Sequence, residues 1–172
     1  MLTMAVGQSD EVDPTDAIAE VLAQCRAGLN EATPTAGLLF SALDSFDPSL
    51  IAAVREAFPG IELIGSTSAA EMSSAVGYLE DSVALAVFAS DDVDFAVGFG
   101  DGIDFNAKRA AQAAAQQALA RTNKEPKVCV VLTEGINAQH VVEALRTELP
   151  PGAHGPSTER DDRTFTESRR RG

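Results

Sequence analysis

With 172 residues, 45% of them hydrophobic, the chain is long enough for one domain of ordinary size whose core needs no disulfide or metal. A single Tyr, eight Phe and no Trp leave that core to Leu, Val, Ile and Ala. The formal net charge of −13 repels phosphate backbones and anionic lipid, which argues against nucleic acid and membrane surfaces as partners. No apolar run reaches the about 18 residues of a membrane span, and Met1 to Glu11 lacks the features of a signal peptide, so the cytoplasm is the expected compartment.

Residues 1–12 read as a flexible polar lead. It ends at Asp13-Pro14, where Asp suits a helix cap and Pro the first helical turn. Ile18, Val21, Leu22, Cys25 and Leu29 then recur at three- and four-residue steps, one apolar stripe of a helix. After the Gly, Pro and Thr of Asn30 to Gly37, Leu38-Leu39-Phe40 reads as a short buried strand. A second Asp-Pro pair, Asp47-Pro48, opens a helix carrying Leu50, Ile51, Val54 and Phe58, which stops at Pro59-Gly60.

Ile61 to Ile64 reads as the second strand, delivering the chain into a loop of small and hydroxyl residues, Gly65 to Ala70, followed by Glu71. Beyond a turn at Gly77, Val83 to Ala89 and Val93 to Phe99 are expected to pair as an antiparallel hairpin through Ser90-Asp91-Asp92. Asn106 to Arg121 is an Ala- and Gln-rich helix, poor in large apolar groups and therefore suited to close packing against a neighbour. Lys127 to Leu132 reads as a buried strand, and Asn137 to Leu149 as a helix with Val141, Val142, Leu145 and Leu149 on one stripe. The order predicts an α/β (mixed α+β) fold, a mixed sheet including an antiparallel hairpin and flanked by helices, over residues 13–150. Residues 151–172 change character, with five of the 13 Lys and Arg and Phe165 as the one large apolar side chain, and are expected to form a disordered or aberrant tail.

Two segments are candidate ligand contacts. Gly65, Ser66, Thr67, Ser68 and Glu71 stand at the carboxyl end of a strand, where open α/β sheets place ligands; small residues admit a ligand to the backbone and the hydroxyls offer hydrogen bonds. Thr133, Glu134 and Asn137 lie between a strand end and a helix start, with Asn137 as the expected cap. Both segments also have plain structural readings, as a connecting loop and as a capped helix. His140, in the first turn of the last helix near Glu143, is expected to be an exposed helical residue; a triad with Ser66 or Ser68 lacks the Gly-x-Ser-x-Gly elbow. Cys25 and Cys129 have no metal or redox spacing and are expected to be reduced core residues. There is no phosphate loop or complete dinucleotide fingerprint, Asp91, Asp92 and Asp94 read as a solvated edge, and no cofactor, metal or catalytic residue is assigned.

Three stretches carry a family resemblance: Ala36-Gly37-Leu38-Leu39-Phe40-Ser41, Phe58 to Glu71 through Pro59-Gly60-Ile61-Glu62-Leu63-Ile64-Gly65-Ser66-Thr67-Ser68-Ala69-Ala70, and Asp81 to Phe88. In order and spacing, roughly from Ala36 to Pro150, the chain resembles the N-terminal half of the FIST domain. The resemblance implies a non-catalytic intracellular sensory module of signal transduction that binds a small ligand, amino acids or related metabolites among them, and works with signalling proteins or attached domains. The chain departs from the family in having Ser66 where a cysteine is common and Ala70 where a glycine is. After Leu149-Pro150 the family's pattern of a Gly-Gly turn and further strands is absent, so the tail is expected to reflect a truncated or frame-disrupted domain. The alternatives are a protein-protein interaction module without a small-molecule pocket and a serine hydrolase.

Overall fold

A computed structural model describes residues 1–133 and 137–150. The chain divides into two compact units, the first from Met1 to Val97 and the second beginning at Gly98.

The first unit is a mixed four-stranded sheet with helices. In chain order its elements are β1 (Leu2–Ser9), α1 (Pro14–Leu29), β2 (Ala36–Ala42), a 3-10 turn (Leu43–Ser45), α2 (Pro48–Ala57), β3 (Glu62–Ser68), β4 (Ala70–Ser73), β5 (Gly77–Glu80) and β6 (Val83–Ser90). Both expected helix starts form. The carboxylates of Asp13 and Asp47 accept the backbone N–H of Thr15 and Ser49 at 2.8 and 2.7 Å, with a Pro next in each helix.

The sheet order is β1-β6-β2-β3. β2 and β3 run parallel, joined through α2, while β6 is antiparallel to both β1 and β2. Alternation along the strands sends Ala5, Leu39, Val83, Leu85 and Val87 into one core with Ile18, Val21 and Cys25 of α1 and Leu50 and Val54 of α2. Cys25 is fully buried, and loss of hydration pushes its thiol up to about 11. Gly7 lets α1 approach β1 closely, since a Cβ there would lie 2.3 Å from the Val21 carbonyl oxygen.

Three expectations are corrected in this unit. Residues 2–9 form an edge strand where the sequence reads a flexible lead: Leu2, Met4 and Val6 alternate with small residues too weakly to signal a strand, and pairing with β6 supplies the ladder. The hairpin between Val83 to Ala89 and Val93 to Phe99 does not form. Both edges of β6 are already taken by β1 and β2, so residues 93–99 have no ladder to join. Phe95 instead packs on Phe88 with ring centroids 5.9 Å apart, and the Val97 N–H donates to Glu62 Oε2 at 3.0 Å. Finally, the loop expected from Gly65 is strand: β3 runs on through Ser68 beside β2, and β4 begins at Ala70, paired with β5 across a turn in which Gly77 has φ +98°.

The second unit holds α3 (Ile103–Leu119) and α4 (Ala138–Glu148), close to the expected helices. Its core is small: Ala107, Ala111 and Ala115 of α3 against Val141, Ala144 and Leu145 of α4. Residues 98–100 approach the α3 backbone closely, since a Cβ at Gly98 or Gly100 would lie 1.9 Å from the carbonyl oxygen of Ala114 or Ala110. Residues 127–132 form no strand. Val128 and Val130 are exposed and Cys129 is exposed with them, which corrects the expectation of a buried strand and a second core cysteine. An apolar run needs a neighbouring ladder to be buried, and none pairs with it among the described residues. The expected tail, residues 151–172, lies outside the described residues.

Candidate functional site

The first candidate segment becomes one wall of a cleft in the first unit. Parallel pairing sets Leu39 beside Gly65 and Ser41 beside Thr67, and strand alternation sends these residues, with Leu63, to the sheet face on which α2 packs. On the helix side stand Phe46, after the 3-10 turn, and Ile51 and Arg55, four residues apart and hence on one face of α2. The cleft they enclose measures about 270 Å³ and lies at the flank of β3 that pairs with no strand among the described residues. Gly65 is required by the sheet itself, since a Cβ would fall 2.1 Å from the Leu39 carbonyl oxygen.

Polar groups in the cleft differ in how far they are committed. Ser41, nearly fully buried, donates to the Ala42 carbonyl at 3.1 Å, and Ser66 donates to the Thr67 carbonyl at 2.9 Å. Thr67 and Arg55 are exposed, and neither side chain has a hydrogen-bond or ion-pair partner among the described residues. Arg55 is also the one charged residue in the lining. The site therefore offers a guanidinium and a hydroxyl beside an apolar wall of Leu39, Phe46, Ile51 and Leu63.

Ser68 and Glu71 are placed elsewhere. Glu71 is buried, and its carboxylate accepts the hydroxyls of Ser68 and Ser82, the latter at 2.6 Å. Gln8, 1% exposed, donates Nε2 to the Glu71 carbonyl at 3.2 Å and to Ser82 Oγ at 3.1 Å. This network ties β1 and the start of β6 to β4. A buried carboxylate demands such donors, so Glu71 acts here as a structural group rather than a cleft wall.

The second candidate segment belongs to the second unit. Asn137 stands at the start of α4 but does not cap it: its backbone is already helical (φ −101°, ψ 0°), not the extended form that aims a capping side chain at the first turn, and no such hydrogen bond forms. It lines an open groove of about 540 Å³ with Asp104, Asn106, Lys108, His140 and Glu143. Thr133 is exposed; Glu134 lies outside the described residues. His140 is exposed, with Nδ1 3.9 Å from Glu143 Oε2. The two candidate segments thus fall in different units. Among the described residues no group of three or more His, Cys, Asp or Glu is placed to hold a metal ion, and no helix is long and apolar enough to cross a membrane.

The sequence alone does not single out Arg55, Phe46, Ile51, Leu39, Ser41 and Leu63 as residues of a cleft. The four-residue step from Ile51 to Arg55 was the one available signal, and it reads equally well as an ordinary amphipathic helix.

A profile of the FIST N domain matches residues 35–156, a span that includes β2 through α4. The chain belongs to the FIST N domain family. FIST domains are sensory, non-catalytic domains of signal transduction, and this chain shares with them the stretch that builds the cleft. No curated protein matches it. Among solved structures, the FIST chain is similar to the empty FtsZ dimer of M. jannaschii, at TM-score 0.31 and 16% identity over 51% of this chain and 26% of that one. It is also similar to TubZ in GDP-form protofilaments of Bacillus thuringiensis serovar israelensis, at TM-score 0.35 and 10% identity over 98% of this chain and 32% of that one. The chain therefore spans 26% and 32% of the length of those two proteins.

Proposed function

We propose that the chain is a non-catalytic sensory module that binds a small metabolite in the cleft between α2 and β3, with Gly65, Ser66 and Thr67 as its sheet-side wall. One observation carries the reading: an uncommitted guanidinium and hydroxyl converge on an apolar-walled recess built from the FIST-matched stretch. A few convergent polar groups on an apolar wall are what fix a small ligand's orientation. The larger groove of the second unit is a weaker candidate, because Asp104, Lys108 and Glu143 give its lining charges of both signs and no single charge for a ligand to answer. In this reading the module is cytoplasmic, where Cys25 and Cys129 stay reduced, and passes its state to signalling proteins or attached domains.

A thermal-shift screen of the chain against amino acids, organic acids and other small metabolites tests the proposal, with Thr67→Phe, at an exposed position of the wall, as a control that fills the recess. Hits that raise the melting temperature of the chain and not of the control support sensing by the cleft; a screen in which no compound shifts the chain overturns it. An interaction module is the second reading, favoured by the exposed Val128 and Val130.

A further inference from the structure

Resting on that reading of the cleft, we infer that its ligand class is a small monocarboxylate with an apolar body and no free amine. Two observations converge. First, the uncommitted side chains are both donors: Arg55 presents a planar fork of N–H groups that fits a carboxylate with two parallel hydrogen bonds, and Thr67 adds a hydroxyl. Second, the lining holds no carboxylate, and the hydroxyl hydrogens of Ser41 and Ser66 are already donated to backbone carbonyls. An α-ammonium group in the recess would find no anionic partner in the lining and sit near the Arg55 cation, so a free amino acid is disfavoured against its des-amino analogue.

Size and charge narrow the class further. At about 270 Å³ the recess lies just under the range of roughly 300–1,000 Å³ typical of ligand pockets, which suits a body of four to six carbons against Phe46, Ile51 and Leu63. The chain's net charge of −13 opposes the approach of anions in proportion to their charge, and a single guanidinium offsets one negative charge, so monoanions are favoured over phosphorylated and dicarboxylate metabolites.

The test compares 4-methylpentanoate, 4-methylpentanamide and leucine by isothermal titration on the full chain and on Arg55→Gln, an exposed position whose substitution is checked by circular dichroism. The acid is expected to bind at least about tenfold more tightly than either the amide or leucine, and Arg55→Gln to erase the preference over the amide. Equal binding of acid and amide, tighter binding of leucine, an unchanged preference in Arg55→Gln, or no binding of the acid at 10 mM (roughly the weakest measurable affinity) each overturns the inference. A neutral or amine-bearing hit in the wider metabolite screen leaves the sensing proposal standing while this one fails; no hit at all removes both.

Discussion

The two units of the chain solve the same burial problem with different materials. The first assembles branched side chains from two helices and a four-stranded sheet, with Leu50, Val54, Leu85 and Val87 all fully buried. The second has α3 and α4 held by alanines, one valine and one leucine, with backbone brought into contact at Gly98 and Gly100 instead of side chains. A core of large apolar groups gains stability from area removed from water; a core of small ones depends on close approach, which tolerates no added atom. The core of the first unit should therefore be sensitive to what is removed, while that of the second has little to lose by removal and is sensitive to what is added.

The strongest way to break that contrast is Leu85→Ala. Leu85 is fully buried on β6, which is paired on both sides, so the cavity should destabilise the first unit by about 3 kcal/mol, read from urea unfolding followed by circular dichroism. Retention of wild-type stability would mean that the first unit's core is not the one described. Next comes Gly100→Ala, whose Cβ would be driven into the Ala110 carbonyl oxygen. Displacement of α3 should cost about 1 to 3 kcal/mol, with the loss of amide protection confined to residues after Gly98. Equal loss of protection in β2 and β6 would show the two units unfolding as one.

The smallest effect tests local against tertiary stabilisation. Hydrogen bonds from the Ser49 hydroxyl and backbone N–H hold the Asp47 carboxyl below its ordinary value. A carboxyl lowered in the folded state contributes stability above its unfolded value, and the contribution fades as pH falls through the folded one. Asp47→Ala should therefore lower the melting temperature by about a few degrees at pH 7, by less at pH 4, with Asp47→Asn in between. A pH-independent difference would show that the carboxylate is not the group that matters.

Much of the architecture follows from short-range signals. Asp13-Pro14 and Asp47-Pro48 set two helix starts, the stripes from Ile18 to Leu29 and Leu50 to Phe58 set the faces they bury, and the alanines of α3 foretell close packing. These depend on neighbours within four residues, which a sequence displays directly. The strands followed another logic. Val93 to Phe99 and Lys127 to Leu132 have convincing strand composition and no ladder among the described residues, whereas Leu2 to Ser9 has weak composition and a full ladder with β6. Strand formation is a property of a pair, and the partner stands 74 to 88 residues away in the register from Ser9↔Val83 to Leu2↔Ser90.

The same division holds for the candidate site. Gly65, Ser66 and Thr67 are legible from the sequence as candidate wall residues, because small and hydroxyl residues at a strand end mark where open sheets leave room. Their partners Arg55, Phe46 and Ile51 are not, because their place in the cleft depends on how α2 lies across β3. Glu71 shows the converse: its sequence neighbours suggest an accessible acid, and burial beneath Gln8, Ser68 and Ser82 makes it a structural one. What the sequence determined by itself was the family, the helices and one wall of the recess. Tertiary structure alone decided the sheet order, the opposite wall and which polar groups remain uncommitted, because each of these is a statement about residues that meet only once the chain has closed on itself.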